Sequence, residues 1–356
     1  AGAFVLERSF VWPMLRTIPN NTHASLMRRF GWDVVGDMLT VNGRKISKEQ
    51  VKSITLDGIM TVVSEFEYPR NGKLELTRYL FPSSAKAAFC EKYVLRNTGQ
   101  MAISVEIPEA QSELKTHPAQ GVDGAYIARA SVRGVEGSSV APGQNIVSYA
   151  DYQAYKNTGT AISITIEQEL NERRYLIALL RGNLILETPD PTINTMFAFA
   201  KIRASESIYK TKGGYMHGPG GESYYAAIWA NDQAEYVNPF FPFLGYSIGN
   251  QSALNTYRHF ARFVNDAYKP IPSSIVAEGT DIWNGAGDRG DDAMIAYGAA
   301  RYAMAKGDKQ EALELWPLIE WCLEYCHRNL NEEGVVVSDS DELEVRFPAW
   351  KANLCT

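Results

Sequence analysis

The chain has 356 residues, of which 35 are Lys or Arg and 41 are Asp or Glu, for a formal charge of −6; 45% of residues are apolar and 21% charged. This length suits two domains better than one, each able to bury a core, and the composition is that of an ordinary globular protein. With no basic tract and no apolar run near roughly 20 residues, neither nucleic acid nor a membrane is an expected partner. No signal peptide is read at Ala1, which a processed chain would also lack. Cys90, Cys322, Cys326 and Cys355 make no disulfide framework, and Cys322 and Cys326 lack neighbouring ligands for a metal, so they read as buried free thiols.

The first fifty residues give no clear pattern. From Ile54 the chain reads as β. Ile54–Tyr68 alternates from Met60 onward and stops at Pro69, before the turn pair Asn71-Gly72. Leu74–Phe81, Ala87–Arg96 and Ala102–Ile107 alternate in the same way, each closed by turn chemistry, and Ala125–Val132, Asn145–Tyr152 and Ala161–Glu167 are later strand candidates. Between them, Gln111–Gly143 is rich in Gly, Ser and Pro and reads as long loops. Strands this closely spaced, with one wet face and no intervening helix, predict an antiparallel β-sandwich over residues 1–168.

Near Glu169 the period changes. A linking helix is expected within residues 169–190, and Thr188-Pro189-Asp190-Pro191 supplies both a cap and a first-turn proline for the next helix. Five helices are then predicted. The first covers Thr192–Tyr209, with Phe197, Ala200, Ala204 and Ile208 on one stripe. The second covers Asn231–Leu244, kinked by Pro239 and Pro242. The third covers Ser252–Asn265, with Leu254, Tyr257, Ala261 and Val264 facing one way. The fourth is Asp291–Ala305. The fifth is Lys309–Leu330, with the stripe Leu315, Ile319, Cys322 and Cys326 and a break at Pro317.

Connections between these helices alternate in length. Those after the second and fourth are short. Those after the first, third and fifth are long, and in a stack of antiparallel hairpins they emerge at one end. The first long loop, GGYMHGPGGESYYAAIWANDQAEYVNP, runs from glycines into aromatics and then into Asn231, Asp232, Gln233 and Glu235. The second holds Glu278, Asp281, Trp283, Asp288 and Arg289; the third holds Asp339, Asp341, Glu342, Glu344, Arg346 and Trp350. Asn231 and Asp232 also suit a plain helix cap, but Trp beside acid in every long loop favours a functional face. Flat rings cover the C–H faces of a sugar, while amides and carboxylates bond its hydroxyls.

No phosphate loop, dinucleotide fingerprint, zinc HExxH or G-x-S-x-G elbow is present, and His217, His259 and His327 are isolated. What remains is carboxylate chemistry between aromatic walls, which suits glycosidic bonds. DSDELE spaces its oxygens as a calcium loop does but lacks the glycine of that pattern. No cofactor and no metal are expected.

The order of β-sandwich, linking helix, TPDP boundary and helical hairpins resembles the six-hairpin (α/α)6-barrel glycosidases, a group that includes bacterial glucoamylases, glycoside phosphorylases and α-L-rhamnosidases. IWANDQAEY is similar to the Trp-plus-acid segment between the first two barrel helices of that group, and ELWPLIEWCLEY to a recurring barrel-helix pattern. The resemblance implies a β-sandwich followed by an (α/α)6 toroid over residues 191–356, incomplete with five helices of twelve, so that further chain or another copy would complete it. It implies a glycoside hydrolase, inverting and exo-acting, with a glycoside phosphorylase or a non-catalytic glycan-binding protein as alternatives. By position it puts Trp229, Asn231, Asp232 and Glu235 in sugar binding and Glu342 or Glu344 in the general-acid role. In rhamnosidase-like members the first loop supplies key acids, which would promote Asp232 and leave Glu222 as an outside candidate. The expected partner is a carbohydrate, and the expected location secreted or periplasmic, with the cytoplasm open.

Overall fold

The computed structural model describes residues 5–19, 21–22, 24–46, 48–68, 72–219, 227–276, 282–283 and 287–339. The chain forms two compact units, Ala1–Leu15 with Met27–Leu179 and Arg16–Leu26 with Leu180–Thr356.

The first unit is built from antiparallel strands. β1 (Arg8–Arg16) and β2 (Ser25–Phe30) form a two-stranded sheet whose turn end belongs to the second unit. After a π-helical turn at Val34–Met38 come β3 (Thr40–Val41), β4 (Arg44–Lys45), β5 (Gln50–Leu56), β6 (Met60–Tyr68), β7 (Gly72–Pro82), β8 (Ala88–Asn97), β9 (Ile103–Ile107), β10 (Ala110–Lys115), β11 (Tyr126–Arg133), β12 (Val135–Val140) and β13 (Asn145–Lys156). They make a seven-stranded sheet, β10-β11-β13-β8-β7-β6-β5, and a four-stranded sheet, β12-β9-β3-β4. Alternation of apolar and polar residues sets their faces: in β7, Leu74, Leu76 and Leu80 are buried while Glu75 and Thr77 lie between them. Each fully buried aliphatic or aromatic side chain of this kind contributes about 1.5–3 kcal/mol. The register runs from Tyr68↔Gly72 to Met60↔Leu80, so β6 and β7 pair as a hairpin, although its link at 69–71 lies outside the described residues.

Three expectations change here. The single run from Ile54 is two strands, β5 and β6, folded back at Asp57-Gly58, where Gly58 has φ +92°. Gln111–Gly143 is not loop alone, since it contains most of β10, all of β11 and β12. Ala161–Glu167 is not a strand: both backbone groups of Ile162 bond the side-chain amide of Gln153, at 2.9 and 3.0 Å, in place of a neighbouring strand. From there the chain enters α1 (Ile166–Gly182). Glu169, fully buried, accepts from Lys86 Nζ at 2.6 Å and Ser83 Oγ at 2.7 Å, and Arg173 donates twice to the Gly58 carbonyl. These bonds fasten α1 to the strands.

The second unit is helical with short strand insertions. α2 (Pro191–Glu206) starts where Asp190 accepts from Thr192 N at 2.8 Å. Its buried side is Lys201, Ile202 and Ser205, so the stripe is rotated from the predicted one and Ala200 is exposed. Lys201 explains the rotation. The residue is 2% exposed, and its ammonium donates to the carbonyls of Arg181, Asn183 and Leu184 at 2.8–3.1 Å, drawing α2 onto the end of α1.

β14 (Ile208–Thr211) and β15 (Gly214–His217) form a hairpin, and β16 (Ala227–Trp229) leads into a π-helical turn at Asp232–Val237. α3 (Phe241–Leu244) and α4 (Ser247–Ala261) come next. The predicted second helix is therefore broken, as its prolines require. The third starts five residues early and ends before Val264, and its buried side runs through Tyr257 to Phe260, leaving Ala261 exposed. β17 (Ser274–Val276), β18 (Ile282–Trp283), α5 (Asp291–Lys306) and α6 (Lys309–Arg328) complete the described elements.

Pro317 does not break α6. The carbonyl it would have bonded belongs to Leu313, on the side of the helix that packs against no other described element. The stripe Leu315, Ile319, Cys322 and Cys326 is buried as the spacing predicts. α5 meets the π-helical turn at Gly298, where a Cβ would stand 2.4 Å from the Ala234 carbonyl oxygen; only glycine permits that approach.

Candidate functional site

The site begins with how the long loops are held. The hairpin β14–β15 is bolted to α4: Asn255 Nδ2 donates to the carbonyls of Gly213 and Tyr215 at 2.7 and 2.9 Å, and His259 Nε2 lies 2.9 Å from the Gly213 carbonyl. At the end of β15, His217 is 4% exposed and burial pushes its pKa down to about 4, which keeps the ring neutral. A neutral ring with one N–H on the Ala204 carbonyl leaves Nδ1 to accept from Gln233 Nε2 at 3.1 Å; the same amide nitrogen donates to the His217 carbonyl at 2.8 Å. His217 and His259 thus tie the first long loop to the scaffold.

The first and second long loops join through the three-stranded sheet β16-β17-β18. Ser274 pairs with Trp229 on one side and with Trp283 on the other, and Ala230 N donates to the Ser273 carbonyl at 2.9 Å. The second and third long loops join at Asp288 and Asp339. Asp339 N donates to the Asp288 carbonyl at 2.8 Å, and Asp288 N returns a bond to Asp339 Oδ2 at 3.0 Å. Gly287, at φ +71°, makes room, since a Cβ there would lie 2.5 Å from Asp339 Oδ2.

Within this convergence Trp229, Asn231 and Asp232 are half-buried at the entrance to the π-helical turn, and Glu235, one turn on, is exposed. Burial raises the pKa of Asp232; its own N–H and the Arg289 cation oppose that shift, and Glu235 adds to it. Arg289, 6% exposed, thus brings the second loop into electrostatic contact with the first. Asn231 does not cap the turn through its side chain: it makes no capping bond, and its Oδ1 is buried without a partner among the described residues. Glu278, Asp281, Glu342 and Glu344 lie outside the described residues, as do Glu222 and Asp341, and of Trp283 only the backbone pairing is described.

Asp288 has a different place from the one expected. It is 2% exposed, and its carboxylate is engaged internally: Oδ1 accepts from Gly290 N at 2.9 Å and Asp291 N at 3.2 Å, and Oδ2 from Tyr325 Oη at 3.2 Å. Burial raises its pKa against those bonds. Next to it, Asp291 accepts from Ser273 Oγ at 2.5 Å, and Asp292, fully buried, accepts from Ile271 N at 3.3 Å through Oδ1 while Oδ2 has no partner among the described residues. Burial, with the Asp288 charge second, pushes Asp292 up to about 8, so this carboxyl is held protonated at neutral pH.

Sequence reasoning missed Ser273, Ser274, Tyr325, Asp291 and Asp292. Tyr325 sits one position before Cys326 on the predicted stripe, which marks it as core but gives no sign of its bond to Asp288. Ser273 and Ser274 read as loop residues because the strand that Ser274 opens, with Ser273 just before it, is three residues long. No group of His, Cys, Asp or Glu among the described residues has the arrangement of a metal site, and no described helix is long and apolar enough to cross a membrane.

No protein-family model matches this chain, and no curated protein matches it. The fold has counterparts among solved structures. One, assigned as a kojibiose phosphorylase from the human microbiome, aligns with a TM-score of 0.53 at 9% identity, over 92% of this chain and 54% of its own. A polysaccharide lyase aligns over 90% of this chain and 68% of its own at 10% identity, with a TM-score of 0.22 that supports no argument. This chain spans about half the length of the first structure, and the likeness is one of fold: an antiparallel β unit followed by a helical unit.

Proposed function

We propose that this chain belongs to an enzyme that cleaves glycosidic bonds, with an antiparallel β-sandwich ahead of an (α/α)6 toroid of helical hairpins. The observation that carries the reading is the meeting of the three long loops, through β16-β17-β18 and through Asp288 and Asp339, with Asp232 under the influence of Arg289. A half-buried carboxyl with a raised pKa, beside a tryptophan and an amide, suits the recognition of a sugar ring and the handling of its protons. In this reading Trp229, Asn231 and Asp232 hold the terminal ring, and Glu342 or Glu344, three and five residues beyond Asp339, donates the proton to the leaving oxygen. Asp232 is the alternative acid. Completion of the toroid by further chain or a second copy is part of the proposal; the apolar residues exposed on α2 (Ile193, Met196, Phe199) and α6 (Leu313, Trp316, Leu323) support it.

Hydrolysis by an inverting route is the first form of the reaction. Phosphorolysis is the second, supported by the assigned activity of the structural relative and by the Arg289 cation that acts on Asp232. Turnover of aryl glycosides by the native gene product, with and without phosphate, separates the two. Glu342→Gln, Glu344→Gln and Asp232→Asn then identify the acid. Loss of the proton donor slows substrates with poor leaving groups by roughly 100-fold or more and spares activated ones. A ring-holding residue, by contrast, affects all leaving groups alike. If none of the three variants lowers turnover, the site lies elsewhere.

A further inference from the structure

We propose that Asp288 and Asp339 act as paired positioning residues that fix Arg289 against Asp232. The inference rests on the functional reading above. Four observations carry it. First, the two aspartates exchange a backbone bond of 2.8 Å and a side-chain bond of 3.0 Å across 51 residues of sequence. Second, Gly287 admits Asp339 only because it has no Cβ. Third, the Asp288 carboxylate is spent inside the protein, on the first amides of α5 and on Tyr325 of α6. A carboxylate so engaged and 2% exposed is poorly placed to bond a sugar, and well placed to hold the backbone of its neighbour, Arg289.

The fourth observation concerns Tyr325. Its ring stacks on Trp321 at 5.8 Å between centroids; Trp321 stacks on Tyr268 at 5.3 Å, and the Arg328 guanidinium lies over the Tyr268 ring at 3.7 Å. Tyr268 holds a left-handed φ of +48°, and Trp321 Nε1 donates to the Asn265 carbonyl at 2.9 Å. The second long loop is thus gripped by α6 at both ends, at Asn265–Tyr268 and at Asp288. Rigid support of this kind matters for catalysis, because a displacement of about 1 Å in a reacting group can cost roughly 100-fold in rate.

The test compares Asp339→Ala, Asp339→Asn and Tyr325→Phe in the native gene product, by kcat and KM on an aryl glycoside that it turns over and by amide exchange at Asp288. Asp339→Ala removes the acceptor of the Asp288 N–H. We expect faster exchange at that amide and a fall in kcat of about 10-fold or more, with KM changed by less than about 3-fold and the melting temperature nearly unchanged. Asparagine keeps an oxygen at the same place, so Asp339→Asn restores both exchange and kcat. Tyr325→Phe gives an intermediate loss of kcat. Should asparagine prove as damaging as alanine, the charge of Asp339 is itself used and the positioning role is wrong. Unchanged exchange in Asp339→Ala would overturn the pairing itself. Exchange that responds as expected in a protein with no turnover on any glycoside would overturn the functional reading instead.

Discussion

The two units bury charge on opposite terms. In the β unit, Arg8 is matched: its Nε and Nη2 donate to the two oxygens of Glu91 at 2.9 and 3.1 Å, with Tyr93 and Asp33 at 3.4 and 3.3 Å, and Arg8, Glu91 and Tyr93 are all buried. Burial works against the guanidinium charge, but Glu91, Tyr93 and Tyr152 together outweigh it and raise the pKa of Arg8. In the helical unit, Asp288, Asp291 and Asp292 are buried within five residues of one another, and burial raises the pKa of Asp288 and Asp292. A matched pair with bidentate geometry is a joint between β1 and β8. Crowded carboxyls with raised pKa are the kind of arrangement that clusters at functional sites.

The largest effect expected from this contrast is on the joint. Glu91→Gln removes the countercharge while leaving Arg8 buried, and should cost about 3–5 kcal/mol in urea unfolding. A loss below about 1 kcal/mol would mean that Tyr93 and Asp33 suffice for Arg8, and that the pair is no joint.

Asp292→Asn should act in the other direction. The folded pKa of about 8 lies above the ordinary 3.8, so between roughly pH 4 and pH 8 the folded state holds a proton that the unfolded state has released. Stability therefore falls as pH rises through that window, by up to about 1.4 kcal/mol per pH unit, and levels off above it. Asparagine has no proton to lose. The variant should match the native protein near pH 4 and exceed it at pH 7 by up to about 4 kcal/mol, read from urea unfolding at a series of pH values. Parallel curves from pH 5 to 8 would show that Asp292 is ionised in the folded protein.

The same contrast decides what the sequence discloses. Strands that bury one face announce themselves: β7, β8, β9, β11 and β13 all lie in runs that alternate, and their expected limits fall close to those observed. β10 and β12 do not, and each stands at the edge of its sheet, with β10 burying no residue and β12 only its two ends. A strand that buries little has no reason to alternate. Helix starts at Asp190-Pro191 and Asp308 are legible because capping is local chemistry. The site is legible only in part, since Trp229, Asn231 and Asp232 adjoin in sequence. The pairings of Asp288 with Tyr325, 37 residues away, and with Asp339, 51 residues away, depend on tertiary packing that no local pattern encodes.

Lys201 is a third case, a buried cation with no carboxylate: its ammonium is satisfied by three carbonyls, and burial lowers its pKa. Lys201→Met keeps the apolar stem and leaves those carbonyls short of a donor, at a cost of about 1–2 kcal/mol. Thermal unfolding would read it. A neutral result would mean that water replaces the ammonium at the end of α1, and that the lysine is not what turns α2.

The smallest effect belongs to a pair that resembles the Arg8 joint in geometry and differs only in its surroundings. Arg258 of α4 donates through Nε and Nη2 to the two oxygens of Glu314 of α6, at 2.5 and 2.8 Å, but both side chains are more than two-fifths exposed. The hydrogen bond between them, and then their opposite charges, raise the pKa of Arg258 and lower that of Glu314, so each favours the ionised form of the other. Water competes for both groups and mobile ions screen them, so a double-mutant cycle with Arg258→Gln and Glu314→Gln should give a coupling of about 0.2–1 kcal/mol. In about 0.5 M salt that coupling should shrink, because the screening length drops well below its value at physiological ionic strength. The Arg8–Glu91 coupling, shielded from those ions, should hold under the same conditions. If salt weakened both couplings equally, burial would not be what separates the two pairs, and the contrast between the units would lose its physical basis.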